Sequence, residues 1–167
     1  MKKALKWVGM AAGACIGLVA AAGVAGLFVP PEVSANAEVE IDRDPQAVWQ
    51  VLSRPEELTK WSSEVRRVER IGEGRYRVRG AMEAGEVRID RLEAPRRMVS
   101  SIDMMGVTGK WDITVEPAGA GCRVRTQAHI RFGNPWFRVL TVFMYADEQE
   151  RKTLLELKGY LELPGRG

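Results

Sequence analysis

Apolar and polar residues alternate over most of the region from residue 37 to residue 132. At Ala37–Asp42, Val39 and Ile41 alternate with acidic residues, and this period of two predicts a strand with one buried face. The alternation resumes from Val65 to Phe132, where short turns separate the apolar stretches at hairpin spacing. The pattern predicts an antiparallel meander. Its expected turns are Gly72–Gly74, Ala84–Gly85, Ala94–Pro95, Met105–Gly106 and Ala118–Gly121.

A short helical segment follows the first predicted strand. Asp44 followed by Pro45 predicts a helix start, because aspartate caps free backbone N–H groups and proline suits the first helical position. Arg54 followed by Pro55 predicts a break, after which a second helical stretch reaches Trp61. We therefore expect two short helices between the first strand and the meander.

A long helix is predicted after the meander. Beyond Pro135, apolar residues recur at steps of three and four, which is the spacing of one helix face. The helix ends before Pro164, and at up to about 28 residues it would lie across the whole concave face of the sheet. The predicted fold is α+β, with about six or seven antiparallel strands curved around one C-terminal helix. The apolar residues on this helix are Leu140, Phe143, Met144, Leu154, Leu157 and Leu161.

An uncharged segment from Trp7 to Val29 precedes the predicted domain. As a helix it would be about 35 Å long, enough to span a bilayer. Lysines lie within residues 1–6 and acidic residues follow the segment, so the positive-inside rule predicts a cytosolic N-terminus and a domain outside the cell membrane. Residues 30–36 are interpreted as a linker. The alternative is a cleaved secretory signal, because Ala35–Ala37 fits the small-residue pattern of signal peptidase, and the domain would then be secreted or periplasmic.

One face of this uncharged segment consists of small residues. Gly9, Gly13 and Gly17 lie four residues apart, and such a face lets two membrane helices approach closely. A homodimer through this face is one hypothesis. The other is that a segment so rich in alanine and glycine produces the row by composition alone.

The composition is that of one globular domain with an appendage: 167 residues, 46% hydrophobic and 28% charged. The net charge of +3 comes from Lys2, Lys3 and Lys6, without which the chain has 22 basic and 22 acidic residues. The basic footprint of a nucleic-acid-binding protein is therefore missing. Two distant cysteines and one histidine, His129, predict neither a disulfide framework nor a metal site, and no cofactor is expected.

The element order and three helical segments resemble the START-like, or SRPBCC, superfamily, which includes polyketide cyclase/dehydratase-like and lipid-transport proteins. Asp44–Leu52, Pro55–Ser62 and Leu154–Glu162 are similar to its first, second and closing helices. The resemblance covers about residues 37–163 and leaves 164–167 as a tail. It implies the helix-grip fold, and members with a single N-terminal membrane helix are familiar.

The resemblance also implies a cavity between the sheet and the long helix. Methionine is adaptable enough to line such an apolar pocket, although each methionine is equally compatible with ordinary core packing. The candidate cavity-lining residues are Tyr76, Met82, Met98, Met104, Trp111, Thr126, Phe143 and Met144.

Asp147 is the candidate catalytic residue, because it lies on the apolar face of the predicted long helix. If it faced the cavity near Tyr76 or Thr126, its carboxyl group would serve as an acid or base. The alternative is that Asp147 lies at the rim, paired with an arginine or solvated, and only orients the helix.

Three functions remain open at this point. The favoured one is a membrane-tethered domain that binds or carries a hydrophobic small molecule or lipid. The second is an enzyme of the cyclase or dehydratase type, and the third is a protein-interaction module with a fully packed core. The resemblance identifies a fold, and one fold of this kind hosts many activities.

Overall fold

The computed structural model describes residues 23–80, 84–104, 106–141 and 146–163. Most of the predicted membrane segment, including Gly9, Gly13 and Gly17, lies outside these ranges. Its last part, residues 23–28, forms a short helix, α1. Among the described residues, no helix combines the length and the apolar character needed to cross a bilayer.

One antiparallel sheet organises the described part of the chain, and it contains seven strands there. They are β1 (Glu32–Ile41), β2 (Arg67–Gly72), β3 (Arg75–Arg79), β4 (Ala84–Glu93), β5 (Arg97–Met104), β6 (Val107–Ala118) and β7 (Gly121–Phe132). Their order across the sheet is β1-β7-β6-β5-β4-β3-β2, so the first strand pairs with the last and the others form a meander. The predicted α+β fold with a seven-stranded antiparallel sheet is confirmed.

The first helices lie where the sequence predicts them. Asp44 Oδ1 accepts a hydrogen bond of 2.8 Å from the backbone N–H of Gln46, and Pro45 takes the first helical position. The remaining helices are α2 (Pro45–Leu52), α3 (Leu58–Trp61), α4 (Pro135–Thr141) and α5 (Ala146–Glu162), with a 3-10 turn at Pro55–Glu57 before α3.

Two strand boundaries differ from the prediction. β1 begins at Glu32 instead of Ala37, so most of the predicted linker 30–36 belongs to the sheet. The physical reason is pairing with β7, which supplies hydrogen-bond partners along the whole length of β1. The predicted turn at Ala84–Gly85 is also wrong, because β4 starts there and Gly85 pairs with Val78 of β3.

The region of the predicted long helix contains two described helices, α4 and α5. α4 and α5 lie on either side of residues 142–145, which are outside the described residues. The candidate cavity residues Phe143 and Met144 therefore lie outside the described part, as does Met82. α5 ends at Glu162, close to the predicted stop before Pro164.

The buried core lies between α2, the C-terminal part of α5 and one end of the sheet. α5 packs along β1 and buries a stripe of leucines. On the opposite side of this core, α2 contributes Val48, Trp49 and Leu52. The core residues of α5 and the sheet are Leu154, Leu157, Leu161, Ile41, Met98, Val115, Cys122 and Val124.

α1 packs closely on the start of α4. A Cβ atom at Gly23 would overlap the indole ring of Trp136, and one at Gly26 would overlap the backbone of Pro135. Glycine at these two positions lets the two backbones approach. The same end of the molecule exposes large apolar side chains, namely Val24, Leu27, Phe28 and Trp136.

Candidate ligand-binding site

The inner face of the sheet, which faces α2 and α5, is mostly apolar, and part of it is only half-buried. Met98 of β5 and Thr126 of β7 both lie opposite Ile113 of β6 and are buried, at 7% and 2% exposure. Two positions further along, Ile102 and Ile130 are only half-buried. Other half-buried residues of this face are Val78, Val87, Ile89, Met104, Val107, Trp111 and Ile113.

This half-buried surface is the open part of the concave face. An apolar surface that the protein's own helices leave partly uncovered has the composition of a pocket for an apolar ligand. The structure therefore leaves part of the apolar inner face uncovered beside a well-packed core.

A polar pair lies at the boundary between the packed core and the open surface. The Trp111 Nε1–H group donates a hydrogen bond of 2.8 Å to Glu150 Oε1, which joins β6 to the first half of α5. The six-membered ring of Trp111 lies against Gly109, where a Cβ atom would overlap two of its carbons. Glycine at this strand position is therefore what lets the indole extend along the sheet.

Glu150 is a half-buried carboxylate that forms no ion pair with any described residue. Burial raises its pKa above the usual glutamate value, because removal from water penalises the charged form, and the negative charge of Glu64 acts in the same direction. The contacts with Trp111 and Thr126 lower the pKa and offset part of this effect. Among the described residues, no lysine, arginine or histidine forms a salt bridge with Glu150.

Two further polar groups near this region lack partners. The Thr126 hydroxyl is buried on the inner face of β7 and has no hydrogen-bond partner within the described part of the structure, although it lies near enough to Glu150 to affect its pKa. The indole N–H of Trp61, at the end of α3, is also buried and unpartnered there. Buried polar groups are almost always satisfied, so unpartnered ones mark places where a ligand or water binds.

The segment after α3 is tied to α5 beside this cluster. The backbone N–H of Ser63 donates a hydrogen bond of 2.9 Å to Glu156. Glu64 accepts a hydrogen bond from Gln149 and lies 3.6 Å from Lys152 Nζ. These contacts hold the Glu64 carboxylate close to the buried Glu150 cluster and pair Lys152 with Glu64.

Sequence reasoning missed Glu150, although a signal was present. Positions 150, 154, 157 and 161 are spaced by four, three and four residues, so Glu150 continues the buried leucine stripe of α5 by one turn. A charged residue at a core position of a helix is a candidate for a functional site. A stripe defined by apolar residues alone omits Glu150, and the sequence then points to Asp147 as the candidate catalytic residue.

Asp147 lies at the rim. It is exposed, and its Oδ1 atom accepts a hydrogen bond of 2.7 Å from the backbone N–H of Asn36. This contact ties the first turn of α5 to the edge strand β1. No arginine pairs with Asp147 among the described residues.

The other predicted cavity residues are distributed over the inner face. Tyr76 and Met98 are buried at 7% exposure each, Thr126 is buried, and Met104 and Trp111 are half-buried. Of these, the structure brings Trp111 and Thr126 together around Glu150. Met104 lies on the open part of the surface, next to Gly85.

A separate groove of about 420 Å³ lies at the β1–β7–β6 end of the sheet, outside the Glu150 cluster. Its outward-facing side chains include Lys110, Arg131 and His129. His129 is exposed, and its Nδ1 atom lies 3.0 Å from the Ser34 hydroxyl.

The described residues contain no cluster of three or more side chains suited to holding a metal ion. Cys122 is buried in the core, and burial raises the pKa of its thiol. A raised thiol pKa disfavours the reactive thiolate, so this cysteine has the character of a core residue.

Residues 32–162 match the family described as polyketide cyclase / dehydrase and lipid transport. The chain belongs to this family, because the match covers most of its length. The predicted resemblance to the START-like superfamily is thereby confirmed for the fold and family. No curated protein matches the chain in sequence.

Solved structures show the same fold at low sequence identity. Ara h 8.0201 is 12% identical with a TM-score of 0.60, over 78% of this chain and 97% of that one. Norcoclaurine synthase from Thalictrum flavum, as a point mutant in complex with a transition-state analogue, is 14% identical with a TM-score of 0.60, over 78% of this chain and 95% of that one. The Aha1 dimer from Colwellia psychrerythraea is 18% identical with a TM-score of 0.61, over 81% and 99%. At these identities the likeness establishes the fold alone.

Proposed function

We propose that this protein binds or carries a hydrophobic small molecule or lipid on the concave face of its sheet, with a polar group of the ligand at the Glu150 cluster. The observation that carries the proposal is the half-buried apolar inner face, which ends at an unpaired carboxylate and an unpartnered hydroxyl. The apolar inner face would supply the binding free energy, and the polar Glu150 cluster would orient the ligand.

The same observation favours this function over the alternatives. An interaction module with a fully packed core would bury the inner face, and Ile102, Met104 and Val107 are only half-buried. For an enzyme of the cyclase or dehydratase type, Asp147 is unsuited, because it is exposed and bonded to the edge strand. Glu150 is the one acid of α5 that contacts the inner face of the sheet among the described residues, and binding needs no second catalytic group there.

We further propose that residues 7–29 tether the domain to the cell membrane. The exposed apolar side chains Leu27, Phe28 and Trp136 lie where this segment meets the domain, and aromatic residues favour the membrane interface. Cleavage after Ala37 would remove more than half of β1, whose residues Glu32–Ala37 pair with β7. Both observations favour the tether over the cleaved signal, and a homodimer through Gly9, Gly13 and Gly17 remains a hypothesis about residues outside the described ranges.

Binding is tested with Nile red, an uncharged dye whose fluorescence rises in apolar surroundings. In the full-length chain, Ile102→Trp fills the open surface and is expected to weaken dye binding by about tenfold, a loss near 1.4 kcal/mol. Ser101→Trp is the matched control, because it adds the same side chain at the next residue of β5 but on the outer face.

The control is expected to bind the dye as the parent does. Mass spectrometry of the organic extract from both variants should find the co-purified ligand in the Ser101→Trp protein and less of it in the Ile102→Trp protein. Equal dye binding by both variants, with both folded by circular dichroism, would show that the concave face is not the binding site.

A further inference from the structure

The polar end of the proposed site has a defined electrostatic character. Its acidic groups are Glu150, which faces Trp111 and Thr126, and Glu64 on the segment after α3. Neither sheet strand in contact with Glu150 presents a titratable group there, since β6 contributes an indole and β7 a hydroxyl. The nearest lysine contact is that of Lys152 with Glu64.

A carboxylate in this setting discriminates between ligand head groups. Among the described residues Lys152 is paired with Glu64, so a ligand carboxylate or phosphate would meet the charge of Glu150 without a free cation beside it, and like charges in a partly desolvated site repel strongly. A cation would replace the missing ion pair and make charge-assisted hydrogen bonds to Glu150.

The other groups of the cluster fit the same ligand. The oxygen of the Thr126 hydroxyl accepts no hydrogen bond from the described residues, and an ammonium group has three N–H donors to share between it and Glu150. The Trp111 indole, already bonded to Glu150, is an aromatic ring of the kind that attracts cations. Carboxylate, hydroxyl and indole together form a site for a protonated amine.

We propose that the protein selects hydrophobic ligands that carry a protonated amine, bound by the Glu150 carboxylate beside the face of the Trp111 indole. The inference rests on the proposed function, since the apolar part of the ligand occupies the concave face. It adds the chemical class of the ligand, an aliphatic or aromatic amine, and it excludes fatty acids and other anionic lipids as preferred ligands.

Three probes with the same alkyl chain test the inference: decylamine, decanol and decanoate, titrated calorimetrically into the full-length chain at neutral pH. Decylamine is expected to bind about tenfold more tightly than decanol, because hydrogen bonds to charged groups contribute about 1.5–3 kcal/mol, and decanoate is expected to bind most weakly. Glu150→Gln keeps an acceptor for Trp111 and removes the charge, so the preference for the amine should disappear. Glu148→Gln is the matched control, because it neutralises an exposed carboxylate on the same helix.

A pH series on the unchanged protein gives a second measurement that needs no variant. Decylamine stays protonated throughout, so its affinity should fall as the pH is lowered through the raised pKa of Glu150, while the affinity for decanol stays constant. If decanoate binds as tightly as decylamine, the amine inference is overturned while hydrophobic binding stands. If none of the three probes binds, the proposed function itself fails.

Discussion

At the scale of single residues, the site depends on polar side chains that lie among the apolar residues of the inner face. Glu150 lies at a position where the stripe of α5 otherwise carries leucine, and Thr126 lies between Val124 and Ala128 on the inner face of β7. Each polar group costs free energy in the unliganded protein, because it is withdrawn from water without full compensation. Residues that cost stability and face an open surface are typical of binding sites.

Thr126→Val measures this cost. Valine has nearly the same shape and removes a buried hydroxyl without a hydrogen-bond partner in the described structure, so the free energy of unfolding should rise. The rise should be less than about 1 kcal/mol, because the hydroxyl also helps to hold the Glu150 carboxyl in its charged form. Chemical denaturation of the full-length chain checks this result. Thr108→Val, on the exposed outer face of β6, should change stability little. A loss of stability in Thr126→Val would mean that the hydroxyl has a partner such as a bound water.

At the scale of elements, α5 has two different tasks along its length. Its C-terminal part buries Leu154, Leu157 and Leu161 in the core, whereas its first turns carry Glu150 and Asp147. Asp147 bonds the edge strand β1, and Glu150 bonds β6 across the sheet. α5 therefore positions the polar cluster because its far end is fixed by apolar packing.

Asp147→Ala separates the structural role of this residue from a role in chemistry. Loss of its hydrogen bond to Asn36 should speed hydrogen exchange of that amide by about fivefold, which corresponds to about 1 kcal/mol. Nile red binding should stay within about twofold of the parent, because the carboxylate lies outside the concave face. Amide exchange followed by NMR and the dye titration check the two outcomes. A loss of dye binding with unchanged exchange at Asn36 would instead place Asp147 in the site.

At the scale of the whole molecule, the proposed membrane tether and the proposed binding face belong to one arrangement. α1 packs against α4, and the exposed apolar residues around Trp136 lie at that junction. If residues 7–29 tether the chain as proposed, the domain would stay close to the bilayer, which would supply apolar ligands.

The tether predicts where the full-length chain is found in the cell. We expect it in the membrane fraction after alkaline carbonate washing, with an intact mass that includes residues 1–37. Leu18→Arg combined with Val19→Arg should release it, because each arginine at the centre of a membrane helix costs about 2.5–3.5 kcal/mol. Ala4→Arg, before the uncharged segment, is the control and should stay in the membrane. A soluble chain that begins at Glu38 would contradict the tether and support the cleaved signal.

Much of the fold was predictable from local patterns. The alternation of residues 65–132, the Asp44–Pro45 helix start and the leucine spacing of α5 each report a local periodicity or cap that the tertiary structure keeps. The assignment of Met98, Trp111 and Thr126 to the inner face followed from the same alternation, because neighbouring strands keep one register.

Other features needed long-range contacts. The extension of β1 back to Glu32 depends on pairing with β7, which is distant in sequence. The meeting of Trp111, Thr126 and Glu150 depends on how α5 crosses the sheet, and no local pattern determines that crossing.

The sequence by itself thus determined the order and type of the elements and which face of each strand is apolar, because periodicity and capping act over a few residues. Only the tertiary structure decided which part of the apolar face stays open and which acid lies beside it. Asp147 and Glu150 are both acidic residues in the first turns of α5, yet the packing of that helix turns one to the edge strand and the other to the interior. The rotation of α5 about its axis and the burial of its side chains cause this difference. Both are defined only in the folded chain.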